Sequence, residues 1–522
     1  MSTQNPENVV IVGGGIAGSM TAAYLKAAFR ERISVTLVED EPGSAAAEND
    51  ETTLGDIRSF FDFLGLEEED WMPACDATYK LAVRFQDWNR PEQHFYLPFE
   101  DTREVAGFPL TEWWLHNGPS GRFDRDCFVA AWLCDAGRSP RQLDGSAAGG
   151  LGGASAGPDG APAGWGGAAG PYGYHFEAGA LARYLTGYAV GRGVRYLADE
   201  VLEVRLDARG WIEHVVTKEH GEIHGDLFVD CTGDRGLLLH KALKVPYLSY
   251  QDTLPNDSVV TLRVPTRMKA RGIPPYTTVA ARGSGWIWTI PLFSRIGTGY
   301  VYAREYCTPE EAERTLRESV GPEAAGVEAV HAPLLVGRSL RAWQHNCVAV
   351  GAPGGRVEPL EATGASFVHH ALEQLVRHFP AADWHPKLRD SYNASVSRVM
   401  DGAREFLTLH YHGAARDHTQ YWRDAKTRPV PDALAERIAR WRVRPPGAEL
   451  VPPYHQGLPP HAYACLLLGT GAIPLRPSTA ITLVDDTAAR REFAAVRDEA
   501  QGLVGTLPTP YEYITQMSLM SG

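Results

Sequence analysis

The chain opens on an apolar run, VVIVGGG, that passes through glycines into IAGSMTAAYLKAAF, where apolar residues recur at three- and four-residue spacing. This pattern predicts a strand, a glycine turn and a helix, and ISVTLVEDE supplies a second strand. Further on, VLEVRLDARGWIEHVVTK alternates apolar and polar positions as a pair of antiparallel strands does. DLFVDCTGDRG and NCVAVGAPGG read as short apolar strands that end in glycine turns. From about Ala371 the period becomes helical, through ALEQLVRHF, LRDSYNASVSRVMDGAREFLTLHYH and DALAERIARWRV. A proline-rich passage, RPPGAELVPPYHQGLPP, interrupts the helices. The order of elements predicts an α/β protein.

Composition changes this picture in two places. Residues 138–171 are almost all Gly, Ala, Ser and Pro, too poor in apolar surface to offset their ordering entropy, so a flexible surface loop is expected there. The loop contains GWGGAA, Gly164 to Ala169, which has a dinucleotide-like spacing but no strand before it. The net charge of -14, spread without a long basic run, argues against a grip on nucleic acid or an anionic membrane and for a small-molecule or cationic partner. Seven scattered cysteines, never spaced CxxC, suggest buried free thiols and neither a disulfide framework nor a zinc site. The polar N-terminus lacks signal-peptide features, and no apolar run approaches the roughly 20 residues of a membrane span, so a cytoplasmic protein is expected.

The candidate chemistry begins at Gly13, Gly15 and Gly18, with Glu39 at the end of the second strand. Glycines there let the backbone approach a pyrophosphate at a helix N-terminus, and the acid accepts hydrogen bonds from an adenosine ribose. The distal strand–turn segments, Asp226 to Gly236 with Asp230 and Asn346 to Gly355 with Gly351, suit a long flavin better than a nicotinamide. FAD is therefore expected, in a Rossmann-type, glutathione-reductase-like module over residues 1–380 with a substrate-facing segment at about 90–135. A mostly helical substrate-binding module is expected over 381–522. With GWGGAA discounted, no second fingerprint offers a nicotinamide domain, so reduced flavin must come from a separate flavin reductase.

GSGWIWTIPLFSRIGTGYVY resembles the WxWxIP segment of the flavin-dependent tryptophan halogenases, and VEPLEATG is similar to their VEPLESTG. CDATYKLAVRFQDW, GYHFEAGALARYLTGYAVGRGV and FVDCTGDRGLL are also similar to that family, in order, up to about residue 380. The resemblance implies that reduced FAD, oxygen and chloride or bromide yield hypohalous acid, which Lys80 directs at an aromatic carbon. By residue pattern alone Lys80 would lie on an exposed strand face with Ala82 and Arg84, opposite Leu81, Val83 and Phe85. Glu361 matches the family's active-site glutamate, with Glu358 as its rival, and Thr363 and Gly364 match the halide-binding TG. A buried ammonium can hydrogen-bond hypohalous acid or trap it as a haloamine, and desolvation should depress its pKa. The tryptophans of WIWTIP are expected near the flavin without being catalytic, and a homodimer is implied.

Two departures shape the substrate expectation. Leu97 stands where members acting on free tryptophan carry a ring-stacking histidine, although Phe99 remains for the pocket. The tyrosine and Phe-Trp pairs that clamp a free amino acid have no counterpart in PPGAELVPPYHQGLPPHAYAC. The expectation is therefore a tryptophan within a peptide, as in the lanthipeptide-acting members. Free tryptophan, a carrier-bound aromatic and aromatic hydroxylation stand as alternatives. At the cofactor end, Gly15→Val should abolish FAD binding in a fluorescence titration, because the added side chain meets the pyrophosphate; unchanged affinity would remove the flavin premise.

Overall fold

The computed structural model describes residues 5–40, 51–118, 121–145, 172–447 and 458–520. A six-stranded sheet forms first, in the order Arg195–Ala198, Ser34–Glu39, Asn8–Val12, Leu227–Asp230, Cys347–Ala349, Trp343–Gln344, parallel except for the last strand. The strand Asn8–Val12 is apolar from Val9 onward because both of its faces are covered. Val9 and Ile11 join the main core with helix Gly15–Phe29, while Val10 and Val12 pack with Ile212, Val215 and Ile223 of a three-stranded antiparallel sheet. The antiparallel pair expected from VLEVRLDARGWIEHVVTK is found as Val201–Leu206 and Ile212–Thr217.

A second, seven-stranded sheet carries the WIWTIP segment, in the order Ala329–Pro333, Ser258–Pro265, Arg295–Tyr302, Gly285–Pro291, Tyr276–Arg282, Ala82–Gln86, His94–Pro98. One face buries Ile287, Tyr300 and Leu262 against Ala312 and Leu316 of helix Pro309–Val320. The other presents Trp286, Trp288 and Ile290 to the main core. Gly299 lies opposite Trp288, and a Cβ there would come within 2.6 Å of the indole, so this glycine lets the ring lie flat on the sheet.

The alternation expected around Lys80 fails for a topological reason. Thr78–Lys80 pairs with Gly173–Phe176 in a small sheet, and the chain then crosses at Leu81 into the seven-stranded sheet as Ala82–Gln86. Leu81 donates its N–H to the Pro275 carbonyl at 2.7 Å and accepts from Phe99 N–H at 3.0 Å. Lys80, Leu81 and Ala82 are all fully buried, so neither side of this stretch meets water.

The helical residues after 380 share the main core, which runs from Val9 to Met517, and Gly469 lets helix Pro460–Thr470 press against the Phe95 ring. Residues 146–171, including GWGGAA, and positions 448–457 of the proline-rich passage lie outside the described residues. The first part of the expected flexible loop is anchored instead. Ser139 N–H donates to Pro508 O at 2.9 Å, and Arg141 pairs with Glu68 at 3.0 Å. All seven cysteines are buried free thiols, and no helix among the described residues is long and apolar enough to cross a membrane.

Candidate active site

A cavity of about 470 Å³ runs along the ends of the first sheet. Gly14 and Ala17, Gly233, Gly351 and Gly355, Trp288, and Lys80 lie on its wall. The glycine turn is built for close approach. Gly13 has a φ of 99° and a Cβ there would sit 2.4 Å from Cys231 O; one on Gly18 would sit 2.0 Å from Gly13 O. Gly15 donates its N–H to Glu39 Oε1 at 3.4 Å, and Tyr196 holds the other oxygen at 2.8 Å. Gly351, at φ 78°, packs directly against Ala17, where a Cβ on it would come within 2.8 Å of the alanine Cβ. This cradle at the start of a helix with no acid in its first turn fits the pyrophosphate and adenosine of FAD. Asp230 contributes indirectly. Its buried carboxylate accepts from Thr232 N–H and hydroxyl and from Leu238 and Leu239 N–H, at 2.6–3.0 Å, and so shapes the Cys231–Asp234 turn that lines the cavity.

Lys80 sits on the same wall, fully buried, with Nζ donating to Thr53 O at 3.0 Å and lying 5.0 Å from the centre of the Phe99 ring. Burial pulls the Lys80 pKa down to about 7, against the opposing attraction of Glu361. The strand that carries it is held by a hydrogen-bond chain of fixed direction. Thr78 donates its one hydroxyl proton to Pro291 O at 2.6 Å, so it accepts from His175 Nδ1–H at 3.0 Å. Burial, reinforced by Lys80, keeps His175 well below the usual imidazole range. Its Nε2 is then an acceptor for Thr277 at 2.9 Å, which accepts in turn from Thr52 at 3.1 Å. Thr52 and Thr277 are cavity residues.

Glu361 closes a short turn, Pro359–Glu361, followed by Ala362 at φ 58°, a left-handed position that a side chain enters only at a cost. Leu360, Ala362, Thr363 and Gly364 line the cavity. Glu361 turns the other way, to the ring of His410 at 2.5 Å. Thr363 and Gly364 stand at the N-terminus of helix Gly364–Arg377, whose first turn carries no acid, a setting that favours an anion. The rival acid Glu358 is a structural anchor. It is fully buried and accepts from Asn256 Nδ2 at 2.8 Å, from Trp286 Nε1 at 3.2 Å and from the Tyr411 hydroxyl. Burial raises its carboxyl above the usual range.

The two tryptophans therefore have different tasks. Trp288 is on the cavity wall, whereas Trp286 ties its strand to the Glu358 loop. Leu97 is a buried core residue on the strand paired with Val83, and Phe99 touches the site through Lys80. Sequence reasoning missed His410. Its signal was a polar residue on the apolar stripe Val396, Met400, Ala403, Phe406 of helix Pro386–Gly413.

Burying an amine that ionises readily in the unfolded chain costs stability. The cost is full below about pH 7, the folded value, and fades as pH rises toward the ordinary lysine value of about 10.4. Lys80→Met should accordingly raise the melting temperature in calorimetry, with a larger gain near pH 6.5 than near pH 9.5. No gain, or a gain that grows with pH, would contradict this burial account.

A model of the tryptophan halogenase family matches residues 8–486. Tryptophan 6-halogenase SttH of Streptomyces toxytricini is 64% identical over 99% of both chains. Its crystal structure covers 98% of this chain and 100% of its own with a TM-score of 0.92. The 7-chloro-L-tryptophan 6-halogenase KtzR of Kutzneria sp. (strain 744) is 61% identical over 98% of this chain and 99% of its own. MibH, a lanthipeptide tryptophan 5-halogenase, is similar at only 28% identity and a TM-score of 0.81, over 99% of this chain and 94% of its own. The expected kinship with peptide-acting members is thereby corrected. It rested on a missing tyrosine clamp in a passage partly outside the described residues. Polar side chains do border that region, where His461 at the start of helix Pro460–Thr470 bonds Asp101 at 3.0 Å, two residues after Phe99. On this similarity over nearly its whole length, this chain belongs to the flavin-dependent tryptophan halogenases.

Proposed function

We propose that the protein halogenates carbon 6 of the indole of free tryptophan, using FADH2 from a separate reductase, oxygen, and chloride or bromide. The observation that carries the chemistry is a fully buried Lys80 on the cofactor-cavity wall together with a fully buried Glu361 on the far side of the Pro359–Ala362 turn. The ring position and the free substrate are supported by the whole-chain similarity to SttH and KtzR. Bound FADH2 would supply, with oxygen, the oxidising equivalent that turns halide into hypohalous acid. The helix N-terminus at Thr363 and Gly364 holds the halide.

Lys80 receives the hypohalous acid beyond the cavity wall. As an ammonium it donates a hydrogen bond to the hypohalous oxygen; as a neutral amine it forms an N–halogen bond and releases water. A pKa of about 7 makes both forms available at neutral pH. The electrophilic halogen then passes to the ring carbon: from hypohalous acid the O–halogen bond breaks and the leaving oxygen takes a proton from the Lys80 ammonium to depart as water, whereas from the haloamine, protonated on nitrogen, the N–halogen bond breaks and returns the neutral amine; in both routes the displaced ring proton goes to Glu361. The enclosing core, rich in Phe and Trp side chains, keeps bulk water from competing for the oxidant.

A direct test offers free tryptophan, 7-chloro-L-tryptophan and a tryptophan-containing peptide together, with flavin reductase, NADH, FAD and chloride. Mass spectrometry and NMR should find 6-chlorotryptophan as the main product. Preferential reaction of the chlorinated amino acid would move the assignment to a KtzR-like second halogenation. Preferential reaction of the peptide, or substitution at another carbon, would overturn the proposal.

A further inference from the structure

The Glu361–His410 contact fixes more than a position. His410 is completely buried in helix Pro386–Gly413, among Phe85, Trp88 and Phe406. Its Nδ1 lies 2.8 Å from the carbonyl oxygen of Phe406, which can only accept, so Nδ1 carries a hydrogen. Its Nε2 lies 2.5 Å from Glu361 Oε1. In a neutral ring with the hydrogen on Nδ1, Nε2 is an acceptor, and two acceptors do not approach so closely without a proton between them. The pair therefore shares one proton, as imidazolium and carboxylate or as imidazole and carboxylic acid. In both forms it carries no net charge.

The second carboxyl oxygen behaves differently. Glu361 Oε2 is buried without a hydrogen-bond partner, an arrangement that costs stability and is kept where an incoming group completes it. Lys80 is close enough for its ammonium and the Glu361 carboxylate to attract each other. Glu358, three positions earlier, spends its oxygens on Asn256, Trp286 and Tyr411.

We infer that His410 is a positioning residue for halogenation: it commits Glu361 Oε1 by a shared proton, leaves Oε2 as the oxygen that meets the ring proton, and keeps the carboxyl from adding net charge beside Lys80. When Oε2 accepts the ring proton, the C–H electron pair returns to the ring and restores its aromaticity. The shared proton stays between Nε2 and Oε1, since Nδ1–H is held by a backbone carbonyl.

This inference rests on the halogenase reading, and the experiment separates the two. Wild type, His410→Phe, His410→Gln and Glu361→Gln are compared for kcat and KM of tryptophan chlorination across pH, beside reduced-flavin oxidation. Absence of chlorination by the wild type would refute the halogenase reading itself. Given an active wild type, His410→Phe should lower kcat by about tenfold or more with KM nearly unchanged. It removes a donor to the ionised carboxylate, so the acid side of the kcat profile should move to higher pH. His410→Gln, whose amide can donate to Oε1, should move that limb back. An unmoved acid limb in His410→Phe, even with a lower kcat, or no rescue by His410→Gln, would overturn the inference. If the Phe variant fails to fold, nitrogen-15 NMR of histidine-labelled wild type and Glu361→Gln decides. One ring should change from a proton-sharing state to the neutral Nδ1–H form in the Gln variant, and identical histidine spectra would refute the shared proton.

Discussion

The proposed reacting centre depends on one buried strand, Trp286–Pro291, that is fastened at both ends. At one end the Trp286 indole donates to Glu358, which fixes the turn bearing Glu361. At the other the Pro291 carbonyl accepts from Thr78, two residues before Lys80. Lys80 and Glu361 come from segments 281 positions apart, and neither turn nor strand is long enough to hold its own geometry. The WIWTIP strand relates them. Its aromatic content follows, because a strand that crosses a core to reach two polar anchors must fill the space between with side chains that carry their own hydrogen-bond donors.

Around this strut, polar burial is handled in two ways. The supporting groups are satisfied: Glu358, Asp230 and His175 each have partners for their buried atoms, which makes them rigid. The groups assigned to chemistry are left short of partners. Among the described residues, Lys80 has a single carbonyl contact and an aromatic face, and Glu361 keeps an oxygen without a partner. Leaving such groups incomplete opposes folding, and the satisfied network around them keeps them from relaxing into each other or into solvent.

What was legible in the chain followed the reach of each interaction. The close approach of the Gly13–Gly18 turn and Glu39 was legible because both lie within one βαβ unit. Lys80 was legible only by family likeness, since its strand changes sheets at Leu81 and breaks the alternation a reader would use. The threonine–histidine chain brings together side chains 97 and 102 positions apart, and no local pattern announces it. His410 was visible in principle, as a polar residue on an apolar stripe, yet its partner lies 49 residues earlier in a turn. The peptide expectation is not supported by the whole-chain similarity to SttH and KtzR, for a different reason. It rested on the absence of a motif, in a passage that lies partly outside the described residues.

The central claim is that Lys80 acts after the halide has been oxidised and before the ring is attacked. Single-turnover reaction of Lys80→Ala with FADH2, oxygen, chloride, tryptophan and a small-amine scavenger of hypochlorous acid tests this most directly. The account predicts normal flavin oxidation, a chlorinated scavenger and unmodified tryptophan. Formation of 6-chlorotryptophan at the wild-type rate, with the scavenger untouched, would contradict it.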